Sequence, residues 1–83
     1  MFLTLLKVLP GRSVEQPSVL KRIRSVTPPP GIKIHGVYFL FGRYDGAILF
    51  EAENPKAAKE FILRAATSIY ETETLTAIPA EQL

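Results

Sequence analysis

The sequence predicts a small α+β domain of order β-α-β-β-α-β, with four antiparallel strands in one sheet and two helices on one of its faces. Three observations carry this. The chain has 83 residues, which allows one domain and leaves no room for a second. Its apolar residues fall into short strand-like runs separated by two segments of helical periodicity. Two central runs, Ile32 to Phe41 and Gly46 to Ala52, are joined only by Gly42-Arg43-Tyr44-Asp45, a gap that reads as an antiparallel hairpin.

The elements follow in order. Phe2 to Leu9 is aliphatic, too short for a stable helix, and closed by Pro10-Gly11 as a turn. Lys7 interrupts the apolar run, so the opening segment reads as a strand rather than a signal peptide. Ser13-Val14-Glu15-Gln16 has the form of a capping box, and Pro17 falls in the first helical turn, where its missing amide costs nothing. Val19, Leu20, Ile23 and Val26 then recur at helical spacing, until Pro28-Pro29-Pro30-Gly31 stops the helix. Strict alternation along the second strand places Ile32, Ile34, Gly36, Tyr38 and Leu40 on one face. Lys33, His35, Val37, Phe39 and Phe41 fall on the other. Asn54-Pro55 is a helix start with N-cap before proline, and Ala58, Phe61, Ile62, Ala65 and Ile69 mark its apolar face. The threonine-rich alternation of Tyr70 to Thr76 is the fourth strand.

This order is the ferredoxin-like plan, read as a single domain over residues 1–83. Two helices cover one face of such a sheet, yet the central hairpin is apolar on both. An uncovered apolar face of several hundred Å2 is unusual on a lone domain, and a second copy of the sheet is its simplest cover. The patterning therefore predicts a homodimer or a higher homo-oligomer. The hydrophobic content of 47% excludes a disordered tail, and the absence of cysteine excludes a disulfide scaffold and a thiolate metal site. A chain this small has a thin core, so the missing disulfides point to a reducing, cytoplasmic setting or to oligomerisation as support. No run reaches the ~18 apolar residues of a membrane helix. A net charge of +2 is no footprint for a polyanion, and Lys21, Arg22 and Arg24 read as a solvated helix face. Membrane and nucleic-acid partners are thus not expected.

The segment Tyr38-Phe39-Leu40-Phe41-Gly42-Arg43-Tyr44-Asp45-Gly46-Ala47-Ile48-Leu49-Phe50-Glu51-Ala52 resembles the centre of the GYD domain family. That family's glycine–tyrosine–aspartate signature reads here Gly42-x-Tyr44-Asp45. Thr72-Glu73-Thr74-Leu75-Thr76-Ala77-Ile78 is similar to the family's closing strand, and the resemblance covers about residues 32–83. One departure is Ser68-Ile69, where the family commonly has Gly-Asn. The resemblance implies a dimeric α/β barrel in which two sheets face each other. The wider group includes cofactor-free monooxygenases, muconolactone isomerase and the ligand-binding domains of Lrp/AsnC regulators, so fold alone assigns no reaction.

The candidate residues lie on the hairpin. Gly42, Tyr44 and Asp45 read either as turn chemistry, with glycine at positive φ and Asp accepting from amides of its own turn, or as a barrel mouth with Arg43 as an anion contact. His35 is the only histidine and would suit proton transfer, although it shares its face with Lys33. Alternation puts Tyr38 on the opposite face from His35, so one or the other would line a cavity between sheets, depending on which face the helices take. Glu51, Glu71 and Glu73 are read as sharing a sheet face. The expected ligand contacts are Tyr38, Phe39, Arg43 and Tyr44, the candidate proton carriers His35, Tyr44 and Asp45. No metal site or cofactor is expected. Three functions remain: a small-molecule-binding homodimer, a cofactor-free enzyme of monooxygenase or isomerase type, and an interaction module whose barrel is filled by its own side chains. An RNA-recognition motif fails because Asp45 to Phe50 offers only Phe50 for stacking. An acylphosphatase fails for want of a glycine-rich phosphate loop beyond Gly11-Arg12.

Overall fold

A computed structural model describes residues 1–12 and 16–83. The elements are β1 (Phe2–Val8), α1 (Gln16–Ser25), β2 (Lys33–Phe39), β3 (Gly46–Glu51), α2 (Pro55–Ala65) and β4 (Tyr70–Thr76), closed by a 3-10 turn at Ala80–Gln82. The sheet order is β2-β3-β1-β4 with every pairing antiparallel, the predicted α+β, ferredoxin-like arrangement. The fourth strand has the predicted bounds, and the other strands end within two residues of theirs. The capping box rests on Ser13 to Glu15, which lie outside the described residues.

Local chemistry sets the ends of the elements. Asn54 sits extended at the N-cap of α2, its side-chain oxygen accepting from the Ala57 amide at 2.8 Å, and Pro55 follows in the first turn. After α1, the Ile32 amide donates to the Pro29 carbonyl at 3.1 Å across Pro30-Gly31. Gly31 has φ +84°, the positive value that the second central residue of a type II turn requires.

The strand register defines the two faces of the sheet. Three rows run across the helix-covered face: Ile34-Phe50-Phe2-Thr76, Val37-Ile48-Thr4-Thr74 and Phe39-Gly46-Leu6-Thr72. Leu6, Ile48 and Phe50 are fully buried there against Leu20 and Ile23 of α1 and Ala58, Phe61 and Ile62 of α2. Each such side chain contributes about 1.5–3 kcal/mol by leaving water. Phe50 stands at the centre, stacked on Phe2 at 5.8 Å and edge-on to Phe61 at 5.1 Å. Thr4, the buried polar residue of this face, shares a 2.8 Å hydrogen bond with Thr74.

The second strand departs from strict alternation. Its register shifts between Ile34 and Gly36, so that Ile34 faces Phe50 while Gly36 faces Leu49. His35 is the extra, bulged residue, and the bulge reverses the alternation on either side of it. Ile34, Val37 and Phe39 therefore share the helix-covered face, whereas Gly36 and Tyr38 share the open one. The sequence had split Ile34 from Val37 and paired it with Tyr38, because a uniform period of two has no place for an extra residue. Val26, expected on the apolar face of α1, lies one residue beyond the helix and is 56% exposed.

Candidate functional site

The face without helices carries two complete rows: Gly36-Leu49-Leu3-Leu75 and Tyr38-Ala47-Leu5-Glu73. Charged residues border them, Lys7 opposite Glu71 at one end and Lys33 opposite Glu51 at the other. Leu3, Leu5 and Leu49 are only half-buried, and Leu75 is exposed. The phenol of Tyr38 lies over Gly36: a methyl group added there would stand 2.3 Å from the Tyr38 hydroxyl. Glycine in that position lets the ring lie down along its own strand.

The hairpin loop builds one end of this face from Gly42, Arg43, Tyr44 and Asp45. Gly42 takes φ +143°, a conformation that side chains disfavour. Asp45 completes the β1 ladder where β3 begins: its amide donates to the Leu6 carbonyl at 2.7 Å, and its carboxylate accepts from the Val8 amide at 2.8 Å. The amide that Asp45 caps thus belongs to the neighbouring strand rather than to its own turn. Lys7 ties down the loop by donating to the Arg43 carbonyl at 3.1 Å. With the loop so anchored, Tyr44 reaches Glu73 on β4 and donates its hydroxyl to that carboxylate at 2.9 Å. The Arg43 guanidinium sits 5.8 Å from the Tyr44 ring centroid, within cation–π range.

A cleft of about 330 Å3 lies here, lined by Leu5, Lys7, Arg43, Tyr44, Glu71 and Glu73 among others. It holds two cations and two carboxylates, with Leu5 as its aliphatic lining. The hydrogen bond to Glu73 raises the Tyr44 pKa above its ordinary value of 10.0, since a phenolate would face the carboxylate's charge. Tyr44 is therefore a hydrogen-bond donor at neutral pH and a poor base.

His35 stands at the other end of the sheet, its Nε2 against the Glu51 carboxylate. That contact holds the Glu51 carboxyl below its ordinary range. With Glu51 at one end of β3 and Gly46, next to the Tyr44 loop, at the other, His35 and Tyr44 are separated by about 15 Å or more at roughly 3.3 Å per residue.

The structure thus joins Arg43 and Tyr44 into one cleft, with Asp45 as the clamp behind them. Tyr38 shares the open face, three strands away from Glu73. Phe39 stands on the opposite face, beside Leu20, Lys21 and Arg24 of α1, at a small depression of about 130 Å3 that Tyr38 also borders, and it takes no part in the cleft of Arg43 and Tyr44. The expectation that His35 and Tyr38 stand on opposite faces is corrected by the bulge, which directs His35 to Glu51 on the open side. Glu51, Glu71 and Glu73 do share that face, and all three are solvated. Lys7 and the Tyr44–Glu73 bond were not among the sequence candidates, because they depend on a register that pairs residues far apart in the chain. Among the described residues no cluster of three or more His, Cys, Asp or Glu is placed to hold a metal ion, and no helix is long and apolar enough to cross a membrane. Comparison with known family models and with curated proteins returned no match to this chain.

Proposed function

We infer that the chain is a small-molecule-binding module that works as a homodimer or higher homo-oligomer, a second copy lying over the open sheet face and closing the site. The observation that carries this reading is the position of Tyr44, held at one end of an open face with an aliphatic centre and bonded to Glu73 in the wall of the cleft. The ring is held by the Glu73 carboxylate and lies within cation–π range of the Arg43 guanidinium, which orients it at the cleft. The balanced charges of Lys7, Arg43, Glu71 and Glu73 favour a ligand of no net charge, a zwitterion or a polar neutral molecule with an apolar body. The GYD resemblance supports the second copy alone, since what it implies is a dimeric α/β barrel in which two sheets face each other. A cofactor-free enzyme is the second reading, and the His35–Glu51 contact favours it, because a carboxylate beside an imidazole is a common way to orient a proton carrier. The raised pKa of Tyr44 counts against that residue as the base.

An NMR titration with a panel of zwitterionic amino acids and neutral aromatic alcohols tests the proposal. Saturable shifts at Leu5, Lys7, Tyr44 and Glu73, lost in Tyr44→Ala with the fold intact, are expected. Shifts that ignore Tyr44→Ala, or none at these residues across the panel, would overturn it.

A further inference from the structure

The helix side of the sheet carries a second depression that the open-face site does not involve. It is a groove of about 350 Å3 between the end of α1, Pro28-Pro29 and the C-terminal half of α2. Such a volume lies at the small end of the range that holds an organic ligand, about 300–1,000 Å3. Its floor is apolar: Ile23 and Phe61 are core residues, and Ile34 is half-buried beside them. Val26 stands in its lining, 56% exposed although its side chain is purely aliphatic. The proline wall is stiff, so ordering it around a ligand costs little entropy.

Two guanidiniums line the same groove, Arg22 from α1 and Arg64 from α2. Neither has an ion-pair partner among the described residues. No Asp or Glu lines the groove either. Two unneutralised cations from different helices, bordering one apolar slot, are complementary to a molecule with the opposite arrangement.

We propose that this groove binds a single-chain amphiphile ending in a carboxylate, such as a medium-chain fatty acid. The tail lies on Ile23, Ile34 and Phe61, and the carboxylate is shared by Arg22 and Arg64. Guanidinium forks match a carboxylate's two oxygens. A nucleotide fits poorly, because the floor offers no polar groups for a base or sugar. A zwitterion fits poorly as well, since nothing there accepts an ammonium group. The groove therefore selects net negative charge, whereas the open-face cleft, with Glu71 and Glu73 in its wall, does not.

The test is an NMR titration of the full chain with sodium octanoate, in parallel with octanol, on the wild type and on the Arg22→Ala/Arg64→Ala double variant. Both arginines are exposed, so the double variant should keep the wild-type spectrum outside the groove. Octanoate should give saturable shifts at Ile23, Val26, Ile34 and Phe61, and octanol should bind at least about tenfold more weakly. The double variant should lose at least about tenfold in octanoate affinity, the usual weight of charge-assisted hydrogen bonds, with octanol unchanged. Val26→Asp, which places a negative charge in the groove without touching the core, should also weaken octanoate selectively. Equal binding of acid and alcohol, octanoate binding indifferent to both variants, or shifts centred on Leu5 and Tyr44 would overturn the proposal. So would the absence of saturable binding in the millimolar range.

Discussion

The two faces of the sheet are built from the same strands by the same alternation, yet they solve different problems. On the helix-covered face Leu6, Ile48 and Phe50 are fully buried and Thr4 finds Thr74. On the open face the neighbours of those residues, Leu3, Leu5 and Leu49, remain half in water, and the polar groups are drawn to the two ends. The first face closes within the chain. The second is left aliphatic in the middle, with Tyr44–Glu73 at one end and His35–Glu51 at the other. A face that served only as a solvated surface would carry polar residues in those central positions. The difference teaches that one sheet can close a core on one side and leave an aliphatic centre in water on the other, a centre that the proposed second copy of the chain covers.

The largest expected effect separates neighbouring residues of β3. Phe50→Ala should cost about 3–5 kcal/mol in chemical unfolding, at any protein concentration, because the cavity opens inside the chain. Leu49→Ala should cost well under half of that when the protein is dilute, and more when it is concentrated. A concentration-independent cost at Leu49 would break the contrast between the faces.

Asp45 comes next. Asp45→Ala leaves the Val8 amide without its acceptor and loosens the loop that carries Tyr44, so a loss of about 1–3 kcal/mol is expected by the same measurement. Faster hydrogen exchange at Val8 should accompany it, and unchanged exchange would remove Asp45 from its role as the clamp.

Tyr70 should move stability in the opposite direction. Its hydroxyl is buried with no hydrogen-bond partner among the described residues, and burial, with the Asp45 charge adding to it, pushes its pKa up to about 12. Tyr70→Phe removes an unsatisfied polar group at constant ring volume and should raise stability by about 1 kcal/mol. A loss instead would mean that the hydroxyl has a partner after all.

The smallest effect belongs to His35, on the solvated rim. Glu51 has its pKa lowered in the folded chain, chiefly by His35, so the pair's contribution is present above the ordinary carboxylate value of 4.5. It is lost as pH falls through the depressed folded value. His35→Ala should therefore lower stability slightly above pH 4.5 and flatten the wild type's decline below it, so that the two proteins converge in acid. Identical acid limbs in the two proteins would show that the contact contributes nothing.

Much of this architecture can be read directly from residues. Asn54-Pro55 announces α2, the Thr/Glu alternation delimits β4, and Pro28 to Gly31 ends the first helical segment, because each is a local signal with a local physical cause. The bulge at His35 is harder, since it breaks the period on which face assignment rests. Its trace in the sequence is Gly36, an isolated glycine inside a strand pattern, which is a recognised mark of a bulge. The candidate site is readable only in part. The short hairpin connection singles out Arg43, Tyr44 and Asp45, but nothing near them in the chain points to Glu73 or Lys7. Those partners arrive through β1, which lies between the loop and β4 and pairs Leu5 with Glu73 and Lys7 with Glu71.

The central claim is that the open face is the seat of a second copy. Sedimentation equilibrium at micromolar concentration tests it most directly, on the wild type and on Leu75→Glu, which puts a charge on the open face without entering the core. The account predicts the mass of two chains, or a multiple of two, for the wild type and of one chain for the folded variant. A wild type that sediments as a single chain, or an assembly indifferent to Leu75→Glu, would contradict it.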